Sequence, residues 1–295
     1  MQKEKEPINN IVVVADLHCG CKMGLCPPGP QLLEGGGRYT PSAFQRKVWR
    51  WWETFWHEYV PKATHGEPYA VIFNGDTIEG EHHGSSTPIT TNKADQARIA
   101  EEAIQAVIDP SKVVGVYFLR GSRAHDDEAG MALEQLARRL SNLVPVVRTR
   151  EGFYSRWELW LRVGSSLIQA MHTIGTTSSA QHETSALNAE IARVWADCAR
   201  WRREAPQLLV RAHRHRSCEV RLPTRAPTRG GSRYGNACYA GCFVVAGWQG
   251  KTPFQYTRAT GRTSTPQFGG SVIRQGDEEL HTRHCVWTVE PDKEK

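Results

Sequence analysis

Five short apolar runs, each closing in aspartate, histidine or both, constrain this chain more than any other feature. The first, Ile11-Val12-Val13-Val14-Ala15, leads into Asp16-Leu17-His18. A near-continuous Val/Ile run of this length reads as a strand buried on both faces, as in a mixed or parallel sheet. Extended residues two apart share a side. Asp16 and His18 are therefore expected to project together from the strand's carboxyl end, where open α/β sheets place their ligands. Tyr69–Phe73 repeats the pattern and ends in Asn74-Gly75-Asp76. Val113–Leu119 ends in Arg120-Gly121-Ser122-Arg123-Ala124-His125-Asp126, Ser166–Met171 at His172, and Gln207–Ala212 in His213-Arg214-His215. One histidine at the end of an apolar run is ordinarily a hydrogen-bonded structural residue. Five such ends point to convergence, and converged they offer enough Asp and His donors for two adjacent divalent metal ions.

Helical patterns lie between the runs. Ser42 reads as the N-cap of a helix to about Tyr59, with Val48, Trp51, Trp52, Phe55, Trp56 and Tyr59 at three- and four-residue spacing. That stripe is expected in the core rather than as a base-stacking platform. Further helices are expected over Asn92–Ile108, Asp127–Leu140 and Ser185–Arg203. The second half is strand-rich. Phe153–Val163 and Ser166–Met171 read as a hairpin about Gly164-Ser165, and later strands are expected at Glu219–Arg221, Cys238–Val245, Ser271–Ile273 and Cys285–Val289. Pro223–Arg233 and Arg258–Gly270 read as loops, as does the Gly- and Pro-rich passage Cys19–Pro41. The expected fold class is α/β, with two stacked mixed β-sheets flanked by helices. One domain is expected over 1–295, with a loop and helix insertion at about 19–60 and a β-rich part at about 217–295.

At 39% hydrophobic and 23% charged, the chain has the composition of a globular domain, and no apolar run is long enough to cross a bilayer. The polar start, Met1 to Pro7, has no signal-peptide core, so a cytoplasmic location is expected. A formal charge of +6 favours an anionic partner such as phosphate or nucleic acid. The eight cysteines, at 19, 21, 26, 198, 218, 238, 242 and 285, lack paired CxxC spacing. Free thiols are expected over a knuckle of Cys19, Cys21 and Cys26 completed by Cys238 and Cys242.

In order and residue type, Asp16-Leu17-His18, Gly75-Asp76, Gly121-Ser122-Arg123-Ala124-His125, His172 and His213-Arg214-His215 resemble the motif blocks of the calcineurin-like metallophosphoesterases. The resemblance covers about residues 10–250, and the loop from Cys19-Gly20 to Pro27-Pro28 looks like members encoded in bacteriophage genomes. It implies a four-layer α/β/β/α sandwich and two divalent ions, Mn, Zn or Fe. By position, Asp16, His18 and His215 would hold the first ion, His172 and His213 the second, and Asp76 would bridge them. His125 would contact phosphate and protonate the leaving oxygen. The third block departs from the family pattern: Ser122 stands where the family has an Asn ligand, and two residues are inserted before the histidine. The second ion is then expected to be loosely held, or to be completed by water, Asp126 or His125 itself. Ala212-His213 also replaces the usual Gly-His.

The implied activity is hydrolysis of a phosphoester by a metal-bound hydroxide. Phosphodiester or nucleic acid is favoured over monoester, with Arg123, Arg214, His82 and His83 as candidate substrate contacts. The alternative is a binding or assembly module that keeps the fold without the chemistry. A zinc amidohydrolase ranks last, because its His-x-His would open the chain rather than close it.

Overall fold

Each central strand sends alternate side chains into two different cores. In β1 (Asn10–Val14), Val12 and Val14 pack among helices, while Ile11 and Val13 face a second sheet. The computed structural model describes residues 7–81, 84–126, 130–175, 182–225, 237–253, 265–277 and 279–290. The first sheet also holds β4 (Tyr69–Asn74), β5 (Val113–Leu119), β6 (Ser155–Arg156), β12 (Gln267–Gln275) and β13 (Leu280–Thr288). Its order is β13-β12-β1-β4-β5-β6, with β1, β4, β5 and β6 parallel and β12 antiparallel to both of its neighbours, β1 and β13.

The second sheet is built from β7 (Glu158–Val163), β8 (Ser166–Met171), β9 (Leu208–Arg211), β10 (Cys218–Arg225) and β11 (Ala237–Val244), in the order β10-β11-β9-β8-β7. Here β8, β9 and β11 are parallel. The chain is therefore α/β with mixed sheets. A two-stranded hairpin, β2 (Gln31–Leu32) with β3 (Arg38–Tyr39), lies in the Cys19–Pro41 passage.

Ile11, Val13 and Ile72 of the first sheet meet Leu159, Ile168, Val210 and Phe243 of the second in one buried cluster. Fully burying each such side chain is worth about 1.5–3 kcal/mol. The opposite face of the first sheet packs against α1 (Ala43–Thr54), α3 (Lys93–Gln105) and α5 (Met131–Leu140). Helix α1 begins at a capping box in which Ser42 and Gln45 satisfy each other's backbone N–H. It runs on through a π turn, Phe55–Tyr59, into α2 (Val60–Thr64). Val48, Trp52, Phe55 and Trp56 of the stripe are buried, and the Trp52 indole donates to the Ala103 carbonyl at 2.9 Å. The short α4 (Arg123–Asp126) follows β5. On the outer face of the second sheet, Leu187 and Ile191 of α6 (Glu183–Arg200) cover Leu209, Cys242 and Val244. Among the described residues no helix is long and apolar enough to cross a membrane.

Three segments differ from the sequence reading. The hairpin strand starts at Glu158, not Phe153: Ser155-Arg156 pairs instead with β5 in the first sheet, and Trp157 between them is half exposed. Gln267–Gly270 is strand rather than loop, because Gly270 makes room for the Phe55 ring, which would lie 2.5 Å from a Cβ there. β10 runs on through Pro223 to Arg225; as an edge strand it tolerates a residue without an N–H. Residues 226–233 and 258–264 of the two expected loops, and the start of the expected 127–140 helix, lie outside the described residues.

A polar clasp joins the two sheets at one end. Glu219 of β10 accepts hydrogen bonds from Thr282 (2.8 Å), His284 (2.8 Å) and Arg221 (2.7 Å), and the other ring nitrogen of His284 lies 2.8 Å from the Ser271 hydroxyl. Burial alone would raise the Glu219 pKa, but the bonds from His284, Arg221 and Thr282 outweigh it and hold the carboxyl at about 2. A carboxyl depressed on folding stabilises the native state above its ordinary value near 4.5, and that contribution is lost as pH falls towards 2. Glu219→Gln should therefore melt below the wild type at pH 5, and the gap should close in melting scans stepped from pH 4.5 to 2. A gap independent of pH would contradict this.

Candidate metal centre

The candidate residues follow the carboxyl ends of parallel strands from both sheets. Asp16 and His18 follow β1, Asp76 follows β4, and Ser122 and His125 follow β5. His172 follows β8, and His213 and His215 follow β9. Strand alternation is not what brings them together. β1 ends at Val14 and β9 at Arg211, and Asp16, His18, Asp76, His213 and His215 all take left-handed backbone, with φ of 54°, 46°, 48°, 73° and 51°. Only His65 and Arg202 share that conformation among the other described non-glycine residues. Strained turns of this kind gather at functional sites, where each costs on the order of 1–3 kcal/mol. Close approach adds its own demand: a Cβ on Gly75 would sit 2.4 Å from the His172 ring, and one on Gly121 would sit 2.0 Å from Asp76 Oδ1.

Three groups of ligand-type atoms result: Asp16 with His18 and His215, Asp16 with Asp76, His172 and His213, and, behind the first, His18 with Glu79 and His125. In the first, His215 Nε2 lies 3.2 Å from Asp16 Oδ1 and 3.2 Å from His18 Nε2, with His18 Nε2 3.9 Å from the carboxylate. In the second, Asp76 Oδ2 lies 3.1 Å from His172 Nε2 and 3.7 Å from His213 Nδ1, and the two ring nitrogens are 3.2 Å apart. Asp16 Oδ1, 3.9 Å from His172 Nε2, is common to these two groups.

These donors fit divalent ions. Ligands about 2.0–2.1 Å from a zinc-like ion stand roughly 3.3 Å apart across a tetrahedral edge, close to the spacings here. Asp16 Oδ1 is buried with no aligned hydrogen bond, and His215 Nδ1 likewise. Cysteine takes no part among the described residues. All eight thiols are free, and burial pushes Cys21 and Cys26 up to about 12, which keeps them protonated and poor ligands.

The charges offset one another. Burial works against ionisation of Asp16 and Asp76, yet His215 and His172 beside Asp16, and His172 beside Asp76, hold both carboxyls below the usual range. Reciprocally, burial would lower His172, but Asp76 and Asp16 raise it to about 10. Asp126 behaves differently: burial and the nearby Asp76 raise it to about 7.

The inserted block folds back on the site. His125 N and Asp126 N both donate to the Ser122 carbonyl, at 3.1 and 3.0 Å, so the two extra residues close into the turn of α4. Ser122 donates to Asp76 from its backbone N–H (2.7 Å) and its hydroxyl (3.2 Å). Asp126, considered as a substitute ligand, instead accepts the backbone N–H groups of Asp76 and Gly121 and belongs to none of the three groups. His125 donates Nδ1–H to the Glu79 carbonyl at 2.5 Å, leaving Nε2 3.9 Å from Asp76 Oδ2. Burial and His18 bring its pKa down to about 4.

Arg123 is exposed on α4. Arg214 donates to the carbonyls of Gly175 and Glu183. His82 and His83 lie outside the described residues. Two residues that sequence reasoning missed are buried at the site, Glu79 and Gln249. The available signals were an acid three residues beyond Asp76 and a sixth parallel strand end, after β11.

No family model matches the chain, and no curated protein matches it. Among solved structures, the crystal structure of Vps29 from Chaetomium thermophilum is 10% identical with a TM-score of 0.33, covering 96% of this chain and 98% of that one. Vacuolar protein sorting 29 from Cryptosporidium parvum is 12% identical with a TM-score of 0.35, covering 96% and 100%. The solution structure of protein TM1076 from Thermotoga maritima is 12% identical with a TM-score of 0.31, also covering 96% and 100%.

Proposed function

We propose that this chain is a metal-dependent phosphoesterase acting on phosphodiesters, nucleic acid included, rather than on monoesters. In this reading it is one calcineurin-like metallophosphoesterase domain, layered helix, sheet, sheet, helix. The observation that supports it most is the pair of Asp/His groups sharing Asp16 at the strand ends of two sheets, with Asp16, Asp76, His18 and His172 buried and His213 open to solvent. When bound, two divalent ions at such a site supply Lewis acidity, lowering the pKa of a water and neutralising charge on the transferring phosphoryl group.

The protein's part is to hold and orient. Asp16, His18 and His215 hold the first ion, and Asp76, His172 and His213 the second, with the Asp16 and Asp76 carboxylates kept charged by the imidazoles around them. Ser122 fixes the Asp76 carboxylate from the side through two hydrogen bonds, a role in place of direct ligation. His125, anchored through Nδ1, presents Nε2 beside Asp76 and is the group placed to protonate a leaving oxygen. That step needs the imidazolium, which an anionic phosphate alongside it favours. Arg123, exposed on α4, and Arg214, which also donates to the Gly175 and Glu183 carbonyls, are the arginines proposed to meet the phosphate. The +6 charge suits a polyanionic substrate.

The second reading, a module that keeps the fold without chemistry, draws on Ser122 in place of a better ligand. Reconstitution with Mn²⁺ separates the two. The phosphoesterase should take up two equivalents by metal analysis and turn over a bis-aryl phosphate faster than a mono-aryl phosphate. Less than one equivalent with no hydrolysis would favour the module. Asp76→Asn should abolish turnover while circular dichroism and melting show an intact fold, and an active Asp76→Asn protein would refute the role given to Asp76. His125→Ala should retain its metal but lose about 10²–10⁴-fold in kcat; unchanged kcat would remove His125 from the chemistry.

A further inference from the structure

We propose that Glu79 is a positioning residue that sets which nitrogen of His18 faces the metal, and that Gln249 and Thr87 hold it there. The inference rests on the metal-centre reading above and goes beyond the ligand set.

Glu79 is fully buried three residues after Asp76. Its Oε2 accepts His18 Nδ1–H at 2.9 Å and the Gln249 amide at 3.0 Å, and its Oε1 accepts the Thr87 hydroxyl at 3.3 Å. Neutral imidazole carries one ring proton. With that proton on Nδ1 and given to Glu79, the Nε2 lone pair of His18 turns to the position it shares with His215 Nε2, 3.2 Å away. Were the proton on Nε2, that nitrogen could not ligate the first ion. A carboxylate on the far nitrogen of a metal-binding imidazole fixes the ring and raises its basicity, and losing it typically costs 10–100-fold in metal affinity.

Glu79 acts at a second point through its main chain, since its carbonyl accepts His125 Nδ1–H. One residue thus orients a metal ligand with its side chain and the phosphate-facing imidazole with its backbone. Gly80, next in the chain, is gripped on both sides by the Gln96 amide, donating at 3.0 Å and accepting at 2.7 Å, so the backbone at Glu79 cannot drift.

The support extends into the Cys19–Pro41 passage. Gln249 Nε2 also lies 3.4 Å from Cys21 Sγ, and Gln45 of α1 donates to the carbonyls of Cys21 (3.1 Å) and Gly24 (3.3 Å). The start of this passage is thereby a buttress for the first metal group.

The test is Glu79→Gln, followed by long-range ¹H–¹⁵N NMR of the histidine rings without metal and by Co²⁺ titration read in the visible spectrum. In the wild type His18 should be the Nδ1–H tautomer, and Co²⁺ should fill two sites. In Glu79→Gln the tautomers should mix, and the affinity of one site should fall about 10–100-fold while the other is unchanged. Two sites of wild-type affinity with an unaltered His18 tautomer would overturn the role of Glu79 and leave the metal reading standing. No Co²⁺ binding by the wild type would overturn the metal reading, and this inference with it. If Glu79→Gln fails to fold, Gln249→Leu removes one donor from the intact carboxylate. It should weaken the same single site by a smaller factor, and no change at that site would count against the proposal.

Discussion

Asp16 and Asp76 are buried carboxylates that repel each other, and nearly everything else at the strand ends answers that repulsion. An ion taken out of water costs several kcal/mol even after the protein relaxes. Imidazoles at 3.1–3.9 Å offset the two charges, and His172 is shared between them. Five ligand residues in left-handed backbone add strain of on the order of 1–3 kcal/mol each. The apolar cores on either side of the first sheet carry that cost. The site is a locally unfavourable arrangement held by a well-packed scaffold, as expected of a binding centre and not of a stabilising one.

Two sheets are needed because one cannot surround an ion. His18 and His215 are 197 residues apart in sequence, yet their ring nitrogens are 3.2 Å apart. The contact depends on Ile11, Val13 and Ile72 of one sheet meeting Val210 and Phe243 of the other, so that parallel strands of both end at the same edge. A one-residue slip in register would turn those side chains over and carry the ligands with them. The inter-sheet core and the metal groups are therefore one structural problem, and the Glu219–His284 clasp is a polar tie between the same two sheets.

What the sequence made legible followed from local periodicity. Apolar runs such as Tyr69–Phe73 and Val113–Leu119 have no other stable place than a doubly covered strand, and the aromatic stripe of α1 no better place than the core. The closing Asp and His residues were visible because they interrupt those runs. Less visible was how the residues converge. Alternation along a strand was expected to aim Asp16 and His18, whereas left-handed turns past the strand end do so, and no periodicity encodes them. Glu79 and Gln249 were hidden for another reason: an acid and an amide in polar loop sequence read as solvated until folding buries them together. β12 was shortened in the reading because the Arg/Thr/Gly/Pro composition of Arg258–Gly270 resembles a loop, while in the fold Gly270 makes room for Phe55 and Gly269 lies against the Cys285 carbonyl of the neighbouring strand.

The two metal groups differ in how their imidazoles are held. His172 gives Nδ1–H to the Asn74 carbonyl at 2.7 Å, a main-chain acceptor that no side-chain substitution removes. His18 relies on a side-chain carboxylate, itself held by residues from two other loops. His215 has no hydrogen-bond partner for Nδ1 among the described residues. The second group is thus oriented by strand geometry that the sheet already demands, and the first by a polar network that has to be assembled around it. A network of that kind is sensitive to each member, since one unsatisfied partner in a buried set costs more than the bond it made. Metal selectivity and tolerance to mutation should therefore be set at the His18 side of the centre, while the His172 side behaves as a fixed part of the fold.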